Sequence, residues 1–292
     1  MFVGKSLRLG SPVLFASAMA FVALTGLSGR TGLVRLAANS QDCPTPAVEQ
    51  TATSVTPVTK ANYAFAETEV ILADYVRKIA KGTCTDGVGV FFHQKTAQDP
   101  KERSILRPNF DTLYSFAVLD LNSPATVVLP NTDRYQILEV VDDEHWIPLI
   151  SDKPGSYTLT KDSMGSRYVF AFVRTQVNMQ DPADLKQAAA VQDQIKLEQS
   201  AKGTFVVGHQ YDMNQILALR ADYNARRQPE GITSEMAFGM QGQISPEMRN
   251  FGVAIGWGGL PKEGAVYPFP KVVDSTEPQT LTLKDVPIDP RA

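Results

Sequence analysis

Between residues 116 and 177 the chain is a succession of short apolar runs cut by turn residues: FAVLDL (116–121), ATVVLP (125–130), RYQILEVVD (134–142), YTLT (157–160) and RYVFAFVRTQV (167–177). Each is enriched in β-branched or aromatic side chains, which fit a pleated, half-buried surface. Strands this short and this closely spaced predict an antiparallel sandwich or barrel rather than a parallel sheet. This block constrains the fold more than anything else in the sequence.

Helical patterns flank it. From Asn62 to Ala80 a stripe of Phe65, Leu72, Val76 and Ile79 predicts an amphipathic helix that ends at Gly82. GVGVFFHQ (87–94) reads as a strand. Asp181-Pro182 supplies a cap and a first-turn proline for a second helix. TFVVG (204–208) is a further strand, and Asp212 with Gln215 three residues on opens a helix that runs to Arg226. Ser245-Pro246-Glu247 starts another, which stops at the glycine cluster GWGGLP. TLTL (280–283) is a last strand. The expected class is α+β: helical segments with antiparallel β-sandwich, jelly-roll-like units, the second of them incomplete.

The 292 residues are 43% hydrophobic and 20% charged, enough for a sizeable core. A net charge of -3 and a pI near 5.7 exclude the basic footprint of a nucleic-acid binder. Arg220, Arg226 and Arg227 lie beside Asp222 and read as a solvated helix face.

Lys5 and Arg8 head an uncharged stretch from Leu9 to Gly29, densest from Val13 to Leu24. That length suits the apolar region of an export signal and is short for a bilayer span. Residues 1–38 are read as a signal peptide, cleaved near Gly26-Leu27-Ser28, or as an inner-membrane anchor through residues 9–29. The expected location is periplasmic or secreted. Residues 39–60, rich in Thr and Pro, are read as a disordered linker. The two cysteines, Cys43 and Cys84, leave two outcomes open: one disulfide or two free thiols.

The densest polar chemistry is RPNFDTLYS (107–115), at the entrance to the first strand. Arg107 precedes a proline and is extended. Asn109 and Asp111 are turn formers whose side chains bond nearby backbone N–H groups. One reading is a register-setting knot in which Asp111 accepts backbone hydrogen bonds. The other is a pocket floor, with Arg107 as anion clamp and Asp111 as base or ligand.

There are three histidines: His93 closes GVGVFFH, His145 follows Asp142, Asp143 and Glu144, and His209 follows TFVVG. Two of them with Asp111 or Asp142 are an oxygen and nitrogen set for a divalent metal, although no H-x-H or H-E-x-x-H spacing is present. Asp142, Asp143 and Glu144 lack the interleaved spacing of a calcium loop. No G-x-S-x-G elbow occurs, which argues against a classical serine hydrolase. GWGG reads as a tight loop that passes close to Trp257. Met236, Met240 and Met248 read as core filler.

Several strings, FAETEV (65–70), RPNFDTLYSFAVLDL (107–121), the DEH of DDEHW (142–146), GSRYVFAFVRTQV (165–177) and VQDQIKL (191–197), resemble bacterial proteins of the domain of unknown function 1254. GWGGLPKEGAVY (256–267) and LTLKDVP (281–287) resemble the companion domain of unknown function 1214. The resemblance implies residues 61–200 as the first unit, with 201–292 as a helical connection and the start of the second. It carries no accepted reaction or catalytic residues. In proteins of this kind an aromatic-rich strand follows LTLKDVP, so the resemblance implies a second unit cut short, one that needs a partner chain or a homo-oligomer to supply the missing strands.

Two functions follow as expectations. One is an exported envelope enzyme, hydrolase-like, with Asp111, His93 and His145 catalytic and Arg107, Asn109 and Tyr114 binding a small-molecule substrate. The other is a non-catalytic periplasmic ligand-binding or assembly module.

Overall fold

The computed structural model describes residues 43–96, 109–267 and Thr280. The stretch read as an export signal or anchor (1–38), Arg107 and the closing run after Thr280 lie outside the described residues.

In chain order the elements begin with β1 (Val48–Gln50), β2 (Val55–Thr56), α1 (Tyr63–Thr83) and β3 (Phe92–His93). The β-rich block follows as β4 (Thr112–Asp120), β5 (Ala125–Leu129), β6 (Gln136–Asp142), β7 (Leu149–Ser151) and β8 (Gly155–Leu159). A one-turn α2 (Lys161–Met164) leads to β9 (Tyr168–Gln176) and α3 (Pro182–Gln192). Then come β10 (Lys196–Gln199), β11 (Phe205–Val207), β12 (Gln210–Tyr211), α4 (Met213–Arg227), α5 (Ser234–Ala237) and α6 (Pro246–Gly256).

The class is α+β with antiparallel main sheets, as the spacing of the apolar runs predicts. A five-stranded sheet, ordered β3-β4-β9-β6-β7, faces a three-stranded sheet, ordered β10-β5-β8. Every ladder within these two sheets is antiparallel. The pleat sorts side chains to two faces. Ala117, Leu119, Leu138, Val140, Val169, Ala171 and Val173 pack onto Val127, Leu129 and Leu159 of the smaller sheet. The alternate positions, Phe116, Val118, Val141, Phe170 and Phe172, pack onto Leu72, Val76 and Ile79 of α1 and onto Phe251 and Ile255 of α6. The result is helices, a five-stranded sheet and a three-stranded sheet in three layers.

The helix starts are those the sequence predicts. Asp181, Asp212 and Ser245 each accept a hydrogen bond from a first-turn backbone N–H. The stop of α1 differs. The helix continues through Gly82, and Cys84 ends it in the left-handed region with φ 53°, its N–H bonded to the carbonyl of Ala80.

Residues 43–60, expected as a disordered linker, are paired instead. β1 lies parallel to β11 and β2 parallel to β12. Cys43 and Cys84 form a disulfide, which resolves the alternatives the sequence leaves open. Thr and Pro composition hides this because the pairing partners lie far along the chain: the Thr51 N–H reaches the Val207 carbonyl at 3.1 Å.

Candidate functional site

Tyr114, Arg174 and Glu139 meet on the helix-facing surface of the five-stranded sheet. Tyr114 is the direct cross-strand partner of Arg174. Arg174 in turn opposes Ile137, two residues before Glu139. Alternation therefore sets a guanidinium and a carboxylate among Phe170, Phe172, Ile137 and Val141, all facing inward. Glu139 is 0% exposed and Arg174 is 4% exposed. Arg174 Nη1 donates to Glu139 Oε2 at 2.7 Å, and the guanidinium carbon lies 4.2 Å from the centre of the Phe172 ring. The second Glu139 oxygen, Oε1, has no hydrogen-bond partner among the described residues.

Burial opposes both charges. It pushes the Glu139 carboxyl up, with Arg174 pulling it back. It also works against the Arg174 charge, but Glu139 first and then the Tyr267 phenol more than restore it. Burial raises the phenols of Tyr114 and Tyr267, and Arg174 opposes the rise in each.

The strap Trp257–Tyr267, which leaves α6, closes over this centre. Arg174 Nη2 donates to the Gly258 carbonyl at 2.5 Å. The Gly258 N–H donates to His145 Nε2 at 3.0 Å. Tyr135 donates its hydroxyl to the Gly264 carbonyl at 2.9 Å. Gly258 has φ +72°, which a side chain resists, and a Cβ on Gly259 would meet the Phe238 ring at 2.4 Å. The tight loop expected of GWGG is present, and its glycines serve close docking.

The candidate catalytic residues do not converge. Asp111 is exposed, and among the described residues its carboxylate accepts only from the Thr112 hydroxyl, at 3.1 Å. The knot at the strand entrance exists but uses other atoms. The Asn109 N–H donates to the Tyr114 phenol oxygen at 2.7 Å, and the Val177 N–H donates to the Asp111 carbonyl at 2.8 Å. A phenol and a main-chain carbonyl therefore set the register, in place of the Asp111 carboxylate.

His93 pairs with Ser115 across the β3–β4 ladder, so it faces the same side of the sheet as Ser115. Its Nδ1 shares a 2.8 Å hydrogen bond with Ser115 Oγ, which also receives Gln192 Nε2 at 3.0 Å. Burial pushes the His93 imidazole down, helped by Lys95 and partly offset by Asp193. Ser115 is 0% exposed. Gln192, the last residue of α3, also donates to the Tyr114 carbonyl at 3.0 Å, so the group pins α3 to the sheet.

His145 lies towards the helices. Its ring sits 5.6 Å from Trp257 and 6.2 Å from Phe238. It and His93 are therefore on opposite faces of the sheet and cannot share one metal ion. Among the described residues no three His, Cys, Asp or Glu side chains gather as a metal-binding group. Burial and then Arg249 push the His145 imidazole down to about 3. Neutral at ordinary pH, it accepts at Nε2 and carries its proton on Nδ1, an atom with no partner among the described residues. Its backbone has φ +65°. The turn that holds it is built by Asp142, whose Oδ1 accepts from the N–H groups of Trp146 and Glu144. Burial pushes the Asp142 carboxyl up to about 7 against those bonds.

Of the binding residues expected from sequence, Asn109 and Tyr114 belong to this centre, and Arg107 lies outside the described residues. Glu139, Arg174, Tyr267 and Gly258 were missed. A signal for two of them was present in the alternation, which puts Glu139 in line with Ile137 and Val141 and Arg174 in line with Phe170 and Phe172.

Residues 88–199 match the family model described as a protein of unknown function, DUF1254. This span includes β4, β6 and β9. Among solved structures, the chain has a partial likeness to the VPA0106 protein from Vibrio parahaemolyticus, at 14% identity and a TM-score of 0.45, covering 70% of this chain and 67% of that one. No curated protein matches the chain.

Proposed function

We propose that this is an exported, non-catalytic binding or assembly module of the bacterial envelope, whose working element is the strap seated on the buried Tyr114–Arg174–Glu139 centre. One observation carries the reading. The groups that hydrolysis would need are dispersed: Asp111 is exposed at a strand entrance, while His93 and His145 are on opposite faces, each already engaged as a hydrogen-bonding partner. General acid–base chemistry needs such groups within reach of one substrate atom.

Export is supported by the Lys5/Arg8 head with its apolar run, and by the disulfide, which persists in oxidising compartments. The resemblance of GWGGLPKEGAVY to the companion domain 1214 supports the strap as the start of a second unit.

The test is a panel of chromogenic ester, amide and phosphoester substrates, with a fluorophosphonate probe, on the protein purified from its native host. Expected are no turnover above buffer and no label on Ser115. Turnover lost in Ser115→Ala or His93→Ala would overturn the non-catalytic reading. N-terminal sequencing of the same material should begin after residue 25, and an intact Met1 in a cytosolic fraction would overturn export.

A further inference from the structure

The strap is held in an unusual way. Both backbone polar atoms of Gly258 are bound by buried side chains of the sheet layer: His145 Nε2 takes the N–H and Arg174 Nη2 takes the carbonyl. An acceptor and a donor set this far apart recognise the main chain of a single residue. The sterics then choose which residue. Gly258 needs φ +72°, and Gly259 tolerates no Cβ beside Phe238. The pair GlyGly occurs once in the sequence, at 258–259.

The closed arrangement also stores tension. His145 sits at φ +65° without being glycine. Its Nδ1 and Glu139 Oε1 are buried without partners among the described residues. The Arg174–Glu139 pair is held out of water. Displacing the strap would break the two Gly258 hydrogen bonds but admit water to the Arg174–Glu139 pair, which offsets part of that loss and leaves the receptor able to release and rebind a peptide.

We propose that His145 and Arg174 form a receptor for a Gly-Gly peptide, occupied in this structure by the chain's own strap, and that its exchange partner is the same strap from a second copy. Swapping an identical element between protomers reuses the existing contacts and needs no new complementarity. The single Gly-Gly in the sequence is the reason for choosing a second copy over a foreign peptide. The inference does not depend on whether the protein is catalytic.

The test uses a fluorescein-labelled peptide, GWGGLPKEGAVY, titrated into the full-length protein and followed by anisotropy. Gly258→Ala weakens the protein's own strap. Tyr135→Phe, a milder change that removes the bond to the Gly264 carbonyl, serves should the first variant fold poorly. Hydrogen exchange at Leu260 reports whether the strap has opened. Expected is at least tenfold tighter peptide binding by the variant than by the natural protein, lost when the peptide carries Ala-Ala in place of Gly-Gly. Equal affinity for the two peptides would overturn the proposal, as would no binding to a variant whose Leu260 amide exchanges freely. Hydrolytic turnover in the substrate panel would remove the non-catalytic reading and leave this one standing.

Discussion

At the scale of single residues, Asp111 and Tyr114 exchange the roles that their positions in RPNFDTLYS suggest. The exposed carboxylate accepts one side-chain hydrogen bond among the described residues, whereas the buried phenol closes the strand entrance. Asp111→Ala should therefore change stability by no more than about 0.5 kcal/mol. Tyr114→Phe should cost about 0.5–1.5 kcal/mol, because the Asn109 N–H loses its acceptor. Urea unfolding of the two variants decides it, and a larger loss for the aspartate would reinstate the carboxylate knot. His145 and Asp142 carry a second prediction. The imidazole resists protonation in the native state, so its contribution is present above its ordinary pKa of about 6.5 and fades as pH falls towards 3. The Asp142 carboxyl is shifted the other way: its contribution is complete below about 4 and is lost as pH rises through 7. Between about pH 4 and 6.5 the two slopes oppose. Replacing His145 by Gln leaves Asp142 alone. The variant should then lose stability relative to the natural protein by up to about 1.4 kcal/mol for each unit of rising pH in that window. Denaturation at pH 4.5 and 6.5 measures this, and parallel behaviour of the two proteins would refute it.

At the scale of elements, the Arg174–Glu139 pair couples β6 to β9 and both to the strap. Glu139→Gln leaves a buried guanidinium without its counter-charge and should cost about 3–5 kcal/mol. Replacing both residues together, Arg174→Met with Glu139→Leu, should recover most of that loss, since two apolar side chains remove the desolvation of two ions. A double variant no more stable than Glu139→Gln would show that the Gly258 bond, which both lack or weaken, dominates the site. These elements also show which signals the sequence carried. The apolar runs of β4, β6 and β9 were legible because the middle sheet is buried on both faces, that of β5 because it buries one face with period two, and the caps at Asp181, Asp212 and Ser245 because capping is local chemistry. The three-residue β7 and the two-residue β2 and β12 carry too few residues to show a period. The candidate site was only partly legible. Tyr114 and Asn109 sit in a conspicuous polar string, but Arg174 and Glu139 are single charges inside apolar strands, and their meeting depends on the β6–β9 register. His93 and His145 look alike in sequence and part company because the pleat sends His93 to the side of Ser115, whereas the turn built by Asp142 carries His145 towards Trp257.

At the scale of the whole molecule, the disulfide joins residues 41 apart and fixes the amino-terminal ribbon to the end of α1. The chain-entropy model gives about 4 kcal/mol for a loop of that length. Cys43→Ser with Cys84→Ser should lower stability by roughly that amount at neutral pH. A loss under about 1 kcal/mol would mean that the bridge follows the fold without supporting it. Parallel pairing of the ribbon has a consequence in time. A polypeptide is made from its amino end, yet β1 and β2 can form no ladder until β11 and β12 have emerged, because Val48 lies beside Phe205 and Val55 beside Gln210. Cys84 emerges long before that. If the thiols close in that interval, the ribbon is tethered by sulfur while the backbone of Val48–Gln50 still lacks its strand partner. Closure of the bond in that interval would confine the search of the ribbon for a groove that does not yet exist.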